Sequence, residues 1–144
     1  MDFIASKISS YVEAINSKAM SKIGDALVNL VFSLAQARYS YFSSNILDFK
    51  GTPKVSAKIL KQAATIAKET HGVEIPVKGD AHAIADAVEA LVAFGWVKKY
   101  IDIQECVDIL AERLREREPG KVAQWNKAYS IGFAMIIRLI FDRC

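Results

Sequence analysis

IADAVEALVAFGW, residues 84–96, is apolar almost throughout, yet it carries two carboxylates, Asp86 and Glu89, three residues apart and among alanines. Its spacing is that of a helix. At about 100° per residue Asp86 shares a face with His82, Glu89, Ala90 and Ala93, while Ile84, Val88 and Leu91 point the other way into a core. An ionised carboxylate taken out of water costs several kcal/mol unless it is paired, hydrogen-bonded or bound to a metal. The small side chains beside the acids leave room for an ion or another helix to come close.

Working outward, the same periodicity recurs over about residues 2–15, 18–40, 53–70, 81–99, 103–117 and 121–142, with no alternating strand pattern. The expected fold class is all-α, as a single domain over residues 1–144. At 52% apolar residues, with seven glycines and three prolines, the chain can bury a real core. Gly51-Thr52-Pro53 is expected to open the third helix and His71-Gly72 to close it. Asp80 is the expected N-cap of the fourth, and Pro119-Gly120 precedes the last.

The N-terminal MDFIASKISSYVEAI is amphipathic and lacks a basic head and an unbroken apolar run, so export is not expected. YSIGFAMIIRLIF, residues 129–141, is too short to span a bilayer and contains Arg138, so no membrane partner is expected. In the last helix Ile131, Phe133, Met135, Ile136, Ile137, Leu139 and Ile140 cover most sides, so either the core surrounds it or a partner covers one face. Cys106 and Cys144 lie far apart without ligand spacing, which fits a reduced, cytoplasmic location. A net charge of +3 is too mild to argue for nucleic acid by itself.

A third acid lies in KIGDALVNLVFSLA, residues 22–35, where Asp25 is surrounded by apolar side chains: Ile23, Leu27, Leu30 and Leu34 on the far side, Val28 and Phe32 nearer its own face. A helix apolar on all sides is expected to be buried. Ser21 stands one turn before Asp25 and Asn29 one turn after. One account is that these acids cap helices or pair with lysines. Neither Asp25 nor Asp86 has a Lys or Arg at i+3 or i+4, however, and a shared divalent cation is the economical alternative. Carboxylate oxygens suit Mg²⁺ or Mn²⁺, and such sites commonly serve phosphate chemistry.

GDALVNLVFSLA and IADAVEALVAF, in that order, resemble the two signatures of the ribonuclease III catalytic domain, a Gly-Asp-Ala helix followed by an Ala-Asp-x-x-Glu-Ala-Leu helix. KVSAKILKQAATIAKETHGV resembles the basic helix between them, and VKGDAHAIADAVEAL the turn into the second signature. The resemblance, over about residues 17–110, implies an all-helical endonuclease domain, a homodimer and double-stranded RNA as substrate. It also implies Mg²⁺- or Mn²⁺-dependent hydrolysis, in RNA processing, that leaves 5′-phosphate and 3′-hydroxyl ends. It assigns Asp25, Asp86 and Glu89 as catalytic residues and metal ligands. Longer members carry a glutamate four residues before the signature aspartate; here that position is Ser21, whose hydroxyl can orient a water but brings no charge. No room remains for an appended double-stranded-RNA-binding domain, as in the family's compact, archaeal-like branch.

Ser21, Asn29 and His82 are candidates for orienting the acids or a bound water, against the plainer reading that they cap or pack locally. For RNA binding, Lys54, Lys58, Lys61 and Lys68 recur at helical spacing, with Lys78 beyond; between residues 50 and 78 six lysines face two glutamates. Such a stripe can neutralise duplex phosphates, or simply be a solvated face. Duplex RNA is recognised mainly by shape and backbone, so the absence of a stacking motif does not count against it. Two rival functions remain. A catalytically impaired protein of the same fold would bind duplex RNA without cutting it. An all-helical Mg²⁺-dependent nucleotide pyrophosphohydrolase would normally carry an additional ExxE helix, absent ahead of this Asp-x-x-Glu.

Overall fold

Five helix starts among the described residues are marked by a short polar side chain, Ser10, Ser17, Ser56, Asp80 and Asp102. A computed structural model describes residues 2–47, 54–116 and 122–144. Within them lie α1 (Asp2–Lys7), α2 (Tyr11–Ile15), α3 (Lys18–Ser44), α4 (Ala57–His71), α5 (Ala81–Val97), α6 (Ile103–Arg115) and α7 (Val122–Arg143), and no strand. Ser17, Ser56, Asp80 and Asp102 sit in extended backbone and accept from the amide three residues on, which satisfies one of the orphan N–H groups of the first turn. The α4 helix ends at Gly72, whose φ of 67° lets its N–H and that of Val73 return to the carbonyls of Lys68 and Ala67.

The boundaries depart from the periodicity at the end of α3, which runs on to Ser44, and in two further places. The expected helix over 2–15 is broken at Ser9-Ser10: the Ser10 hydroxyl caps Glu13 while the Glu13 carboxylate accepts from the Ser9 amide and hydroxyl at 3.2 and 2.8 Å. This reciprocal capping outweighs continuing the helix. The third expected helix starts at Ala57, because Ser56 caps it, and leaves Lys54 and Val55 in the segment before it. The turns expected at Gly51-Thr52-Pro53 and Pro119-Gly120 lie outside the described residues.

The central element is α5. From Ala85 to Val97 all but Asp86 and Trp96 are buried, and it is flanked by α3, α4, α2 and α7. Val28 and Val31 of α3, Leu60 of α4, Leu110 and Leu114 of α6, and Phe133, Ile136, Ile137 and Ile140 of α7 complete a contiguous core. At Gly24 the backbones of α3 and α5 come into direct contact. A Cβ on Gly24 would lie 1.8 Å from the Glu89 carbonyl oxygen, so only glycine permits these backbones to touch here. That contact places Asp25, the next residue, beside Glu89.

Of the two alternatives for the last helix, the structure shows the first: the core surrounds it, and only Ile131, Met135 and Leu139 are half-buried among its large apolar residues named above. One expectation about an apolar face is corrected: α3 is not buried all round. Leu30 and Leu34, on the side away from Asp25, are 46% and 40% exposed and continue into exposed Tyr41, Phe42, Ile46 and Leu47. Periodicity marks a face as apolar without saying what covers it. Among the described residues no helix is long and apolar enough to cross a membrane.

Candidate active site

A cleft of about 490 Å³ opens where α3 and α5 diverge from their contact. Its α3 wall carries Ser21, Lys22 and Asp25, with Lys18 one turn earlier. Its α5 wall carries His82, Ala85, Asp86 and Glu89, and Lys54, Val55, Ala57 and Leu60 close the third side. The three acids expected to act together thus enter one cavity from two helices, and Ser21 and His82 join them.

The acids do not share one environment. Asp25 and Asp86 stand exposed at the lip, whereas Glu89 is only 7% exposed. The expected burial of Asp25 is therefore corrected: the neighbouring turns of α3 are covered, but the carboxylate faces the cleft. Burial raises the Glu89 carboxyl to about 8, reinforced by its hydrogen bond with Asp25 and by the charges of Asp25 and Asp86, and opposed by the Lys54 charge. That shift favours the protonated Glu89 carboxyl, hydrogen-bonded to Asp25, at neutral pH. This answers how one acid persists within α5: it is neutral and hydrogen-bonded.

Asn29 orients the other acid. Its Nδ2 donates to Asp25 Oδ1 at 3.1 Å, and its Oδ1 accepts from the Val55 amide at 2.8 Å. Both ends of the amide are thereby used. His82, exposed one turn before Asp86, lines the cleft without a hydrogen bond that fixes its role.

The expected lysine stripe divides. Lys54 precedes α4 and faces the acids in the cleft, whereas Lys58, Lys61 and Lys68 are exposed along α4 and Lys78 is exposed in the loop before α5. Lys68 is bonded to Glu74 at 3.2 Å, an exposed pair of little energetic weight. The residue pattern overlooked Lys18 and Lys22 as cleft residues. The spacing held the signal: Lys22 lies three before Asp25, hence on the same helical face.

Three carboxylates offer the all-oxygen donor set that suits Mg²⁺ or Mn²⁺. In the arrangement described, no three His, Cys, Asp or Glu side chains among the described residues are gathered closely enough to hold an ion. A hollow of about 590 Å³ at Trp96, Tyr100, Glu105 and Arg143 is larger, but Arg143 there already holds Glu105 at 2.6 and 3.1 Å and the Tyr100 carbonyl at 2.8 Å. The Arg143 guanidinium is thus already engaged, whereas the acid cleft brings three carboxylates and three lysines together.

A family model described as Ribonuclease III matches residues 18–143, spanning both walls of the cleft and the segment between them. Comparison with curated proteins finds no match.

Proposed function

The chain belongs to the ribonuclease III family, and on that premise we propose that it is a metal-dependent endoribonuclease that hydrolyses phosphodiester bonds in double-stranded RNA, in RNA processing. The observation that carries this reading is the convergence of Asp25, Asp86 and Glu89 from two helices into one cleft. Those residues would hold Mg²⁺ or Mn²⁺. Bound there, the ion would supply Lewis acidity toward a phosphoryl oxygen and lower the pKa of a water.

The chain's own groups have separable tasks. Asp25 and Asp86, exposed at the lip, accept hydrogen bonds from the attacking water and orient it. Glu89 is the reserve carboxylate: its proton, held against Asp25, must leave before all three acids act as anions. Asn29 keeps Asp25 turned into the cleft, and the Ser21 hydroxyl can order a water where longer relatives carry an acid. Lys58, Lys61, Lys68 and Lys78, together with Lys54, supply positive charge for duplex phosphates. The exposed apolar face of α3 around Leu30 and Leu34 fits a homodimer. A two-fold dimer matches the local two-fold relation of duplex strands and brings one cleft to each. The free thiols of Cys106 and Cys144 fit a cytoplasmic location.

A second reading, a duplex-binding protein that does not cut, is favoured by Ser21 in the cleft and by acids not gathered around a common point. End-labelled duplex RNA incubated with Mg²⁺, with Mn²⁺ and with EDTA separates the two. Metal-dependent cutting, reduced at least ~100-fold by Asp86→Asn with unchanged thermal unfolding, is expected. Retention of intact duplex in a gel shift, with no cutting under any condition, would establish the second reading instead. Loss of both, with pyrophosphate released from a nucleotide, would replace the family activity by pyrophosphohydrolysis.

A further inference from the structure

Lys54 differs from the other lysines expected to hold RNA. Lys58, Lys61 and Lys68 project from α4 into solvent, while Lys54 belongs to the short segment ahead of α4 and lines the cleft opposite Asp25, Asp86 and Glu89. That segment is anchored rather than loose. The Val55 amide donates to Asn29 Oδ1 at 2.8 Å, across 26 residues of sequence, and the same Asn29 donates to Asp25 Oδ1 at 3.1 Å. One side chain therefore fixes both an acid on one wall and the backbone that presents a cation on another.

Resting on the nuclease reading above, we propose that Asn29 is a positioning residue that clamps the Lys54 segment to Asp25, so that the Lys54 ammonium contacts the phosphate being cut and not the flanking duplex. With Lys18 and Lys22 on the opposite side, the cleft carries three cations among its three acids. Where longer relatives place a fourth carboxylate, this chain has the neutral Ser21, so the balance of charge favours direct contact between a lysine and the phosphate. A cation fixed on a phosphoryl oxygen assists where negative charge develops in the transition state, whereas a cation elsewhere on the duplex adds mainly affinity.

The two roles give different kinetics. Single-turnover cleavage of a short labelled duplex, measured against RNA concentration for the wild type, Lys54→Ala and Lys54→Arg, should show an ~10- to 100-fold lower rate at saturating RNA for Lys54→Ala. Duplex affinity in EDTA should change far less, and Lys54→Arg should recover most of the rate. Asn29→Ala should increase hydrogen exchange at the Val55 amide. Combined with Lys54→Ala, it should slow cleavage by less than the product of the two single effects, because one acts partly through the other.

A Lys54→Ala protein that cuts at the wild-type rate once saturated, with weaker binding and a smaller salt dependence, would overturn the assignment of Lys54. Unchanged exchange at Val55, or fully multiplicative effects, would overturn the clamp. If the wild type binds the duplex without cutting it, the nuclease reading fails and takes the Lys54 assignment with it, and Val55 exchange alone decides the clamp. Should Asn29→Ala fail to fold, the Lys54 pair still decides between rate and affinity.

Discussion

The floor of the acid cleft and the outer face of α4 both carry charge, but the consequences of moving an atom differ. In the first, Gly24 packs behind it against the Glu89 carbonyl, Glu89 is hydrogen-bonded with Asp25, and Asn29 holds Asp25 from the other side. Every position there is set by a neighbour. On α4, Lys58, Lys61 and Lys68 stand in solvent, where long side chains sample many rotamers and act through the sum of their charges. Chemistry that needs fixed atoms belongs to the first region, and affinity for a polyanion to the second.

The contrast is broken most severely at Gly24. An alanine there would set its Cβ 1.8 Å from a backbone oxygen that cannot rotate away, so α3 and α5 must separate. Gly24→Ala is expected to cost at least ~3 kcal/mol by urea unfolding. Gly95→Ala provides the control. Its Cβ would meet Ile140 Cγ1 and Cδ1 at 2.6 and 2.8 Å, side-chain atoms that can move where a backbone oxygen cannot, so the cost should be smaller, about 1–2 kcal/mol. Equal losses at the two glycines would remove the special status of the α3 contact with α5.

How far such features are legible in sequence depends on whether local chemistry or distant packing decides them. Asp80 and Gly72 were readable because a cap involves only its own turn. The common face of Asp86, Glu89 and His82 followed from helical spacing alone. The break at Ser9-Ser10 was equally local, but the apolar pattern runs through it and conceals it. Exposure of Leu30 and Leu34 could not be read, since an apolar face looks the same whether core or solvent lies beyond it. Nor could the Asn29 bond to Val55, which depends on how a segment 26 residues away returns to α3. Likewise, sequence placed Asp86 and Glu89 together without distinguishing the exposed acid from the buried one.

That last distinction gives a prediction of intermediate size. The Glu89 carboxyl is raised from 4.5 to about 8, so in the window between those values the folded protein holds a proton that the unfolded chain has released. Stability must therefore fall as pH rises through the window, and most of the penalty is present above the folded value. For protein in EDTA, unfolding free energy should decrease by about 2–4 kcal/mol from pH 4.5 to pH 8.5 through this group. Glu89→Gln, which keeps a neutral hydrogen-bonding side chain, should flatten that part of the profile. Added Mg²⁺ at pH 8 should recover stability in the wild type and much less in Glu89→Gln, if the three acids serve one ion. An unchanged pH slope in Glu89→Gln would move the origin of the profile to other groups.

The smallest effect is expected on the outer face, and its form matters more than its size. A lysine that meets duplex phosphates contributes by releasing counterions, so each lost contact weakens binding by a modest factor and reduces the steepness of the salt dependence by about one. Lys61→Ala should weaken duplex binding in EDTA by about 3- to 10-fold near 0.1 M salt, with that reduction in slope and no dependence on RNA sequence. Lys68 provides an internal comparison. Its bond to Glu74 offsets part of its field, so Lys68→Ala should have the smaller effect, and Glu74→Gln should tighten binding slightly. A Lys61→Ala protein with unchanged affinity and salt slope would assign α4 a solvated face and require the duplex to approach the cleft from another side. The cleft's acids and fixed lysine would then be separated from the surface that recruits the RNA, and the lysine spacing of α4 would no longer bear on function.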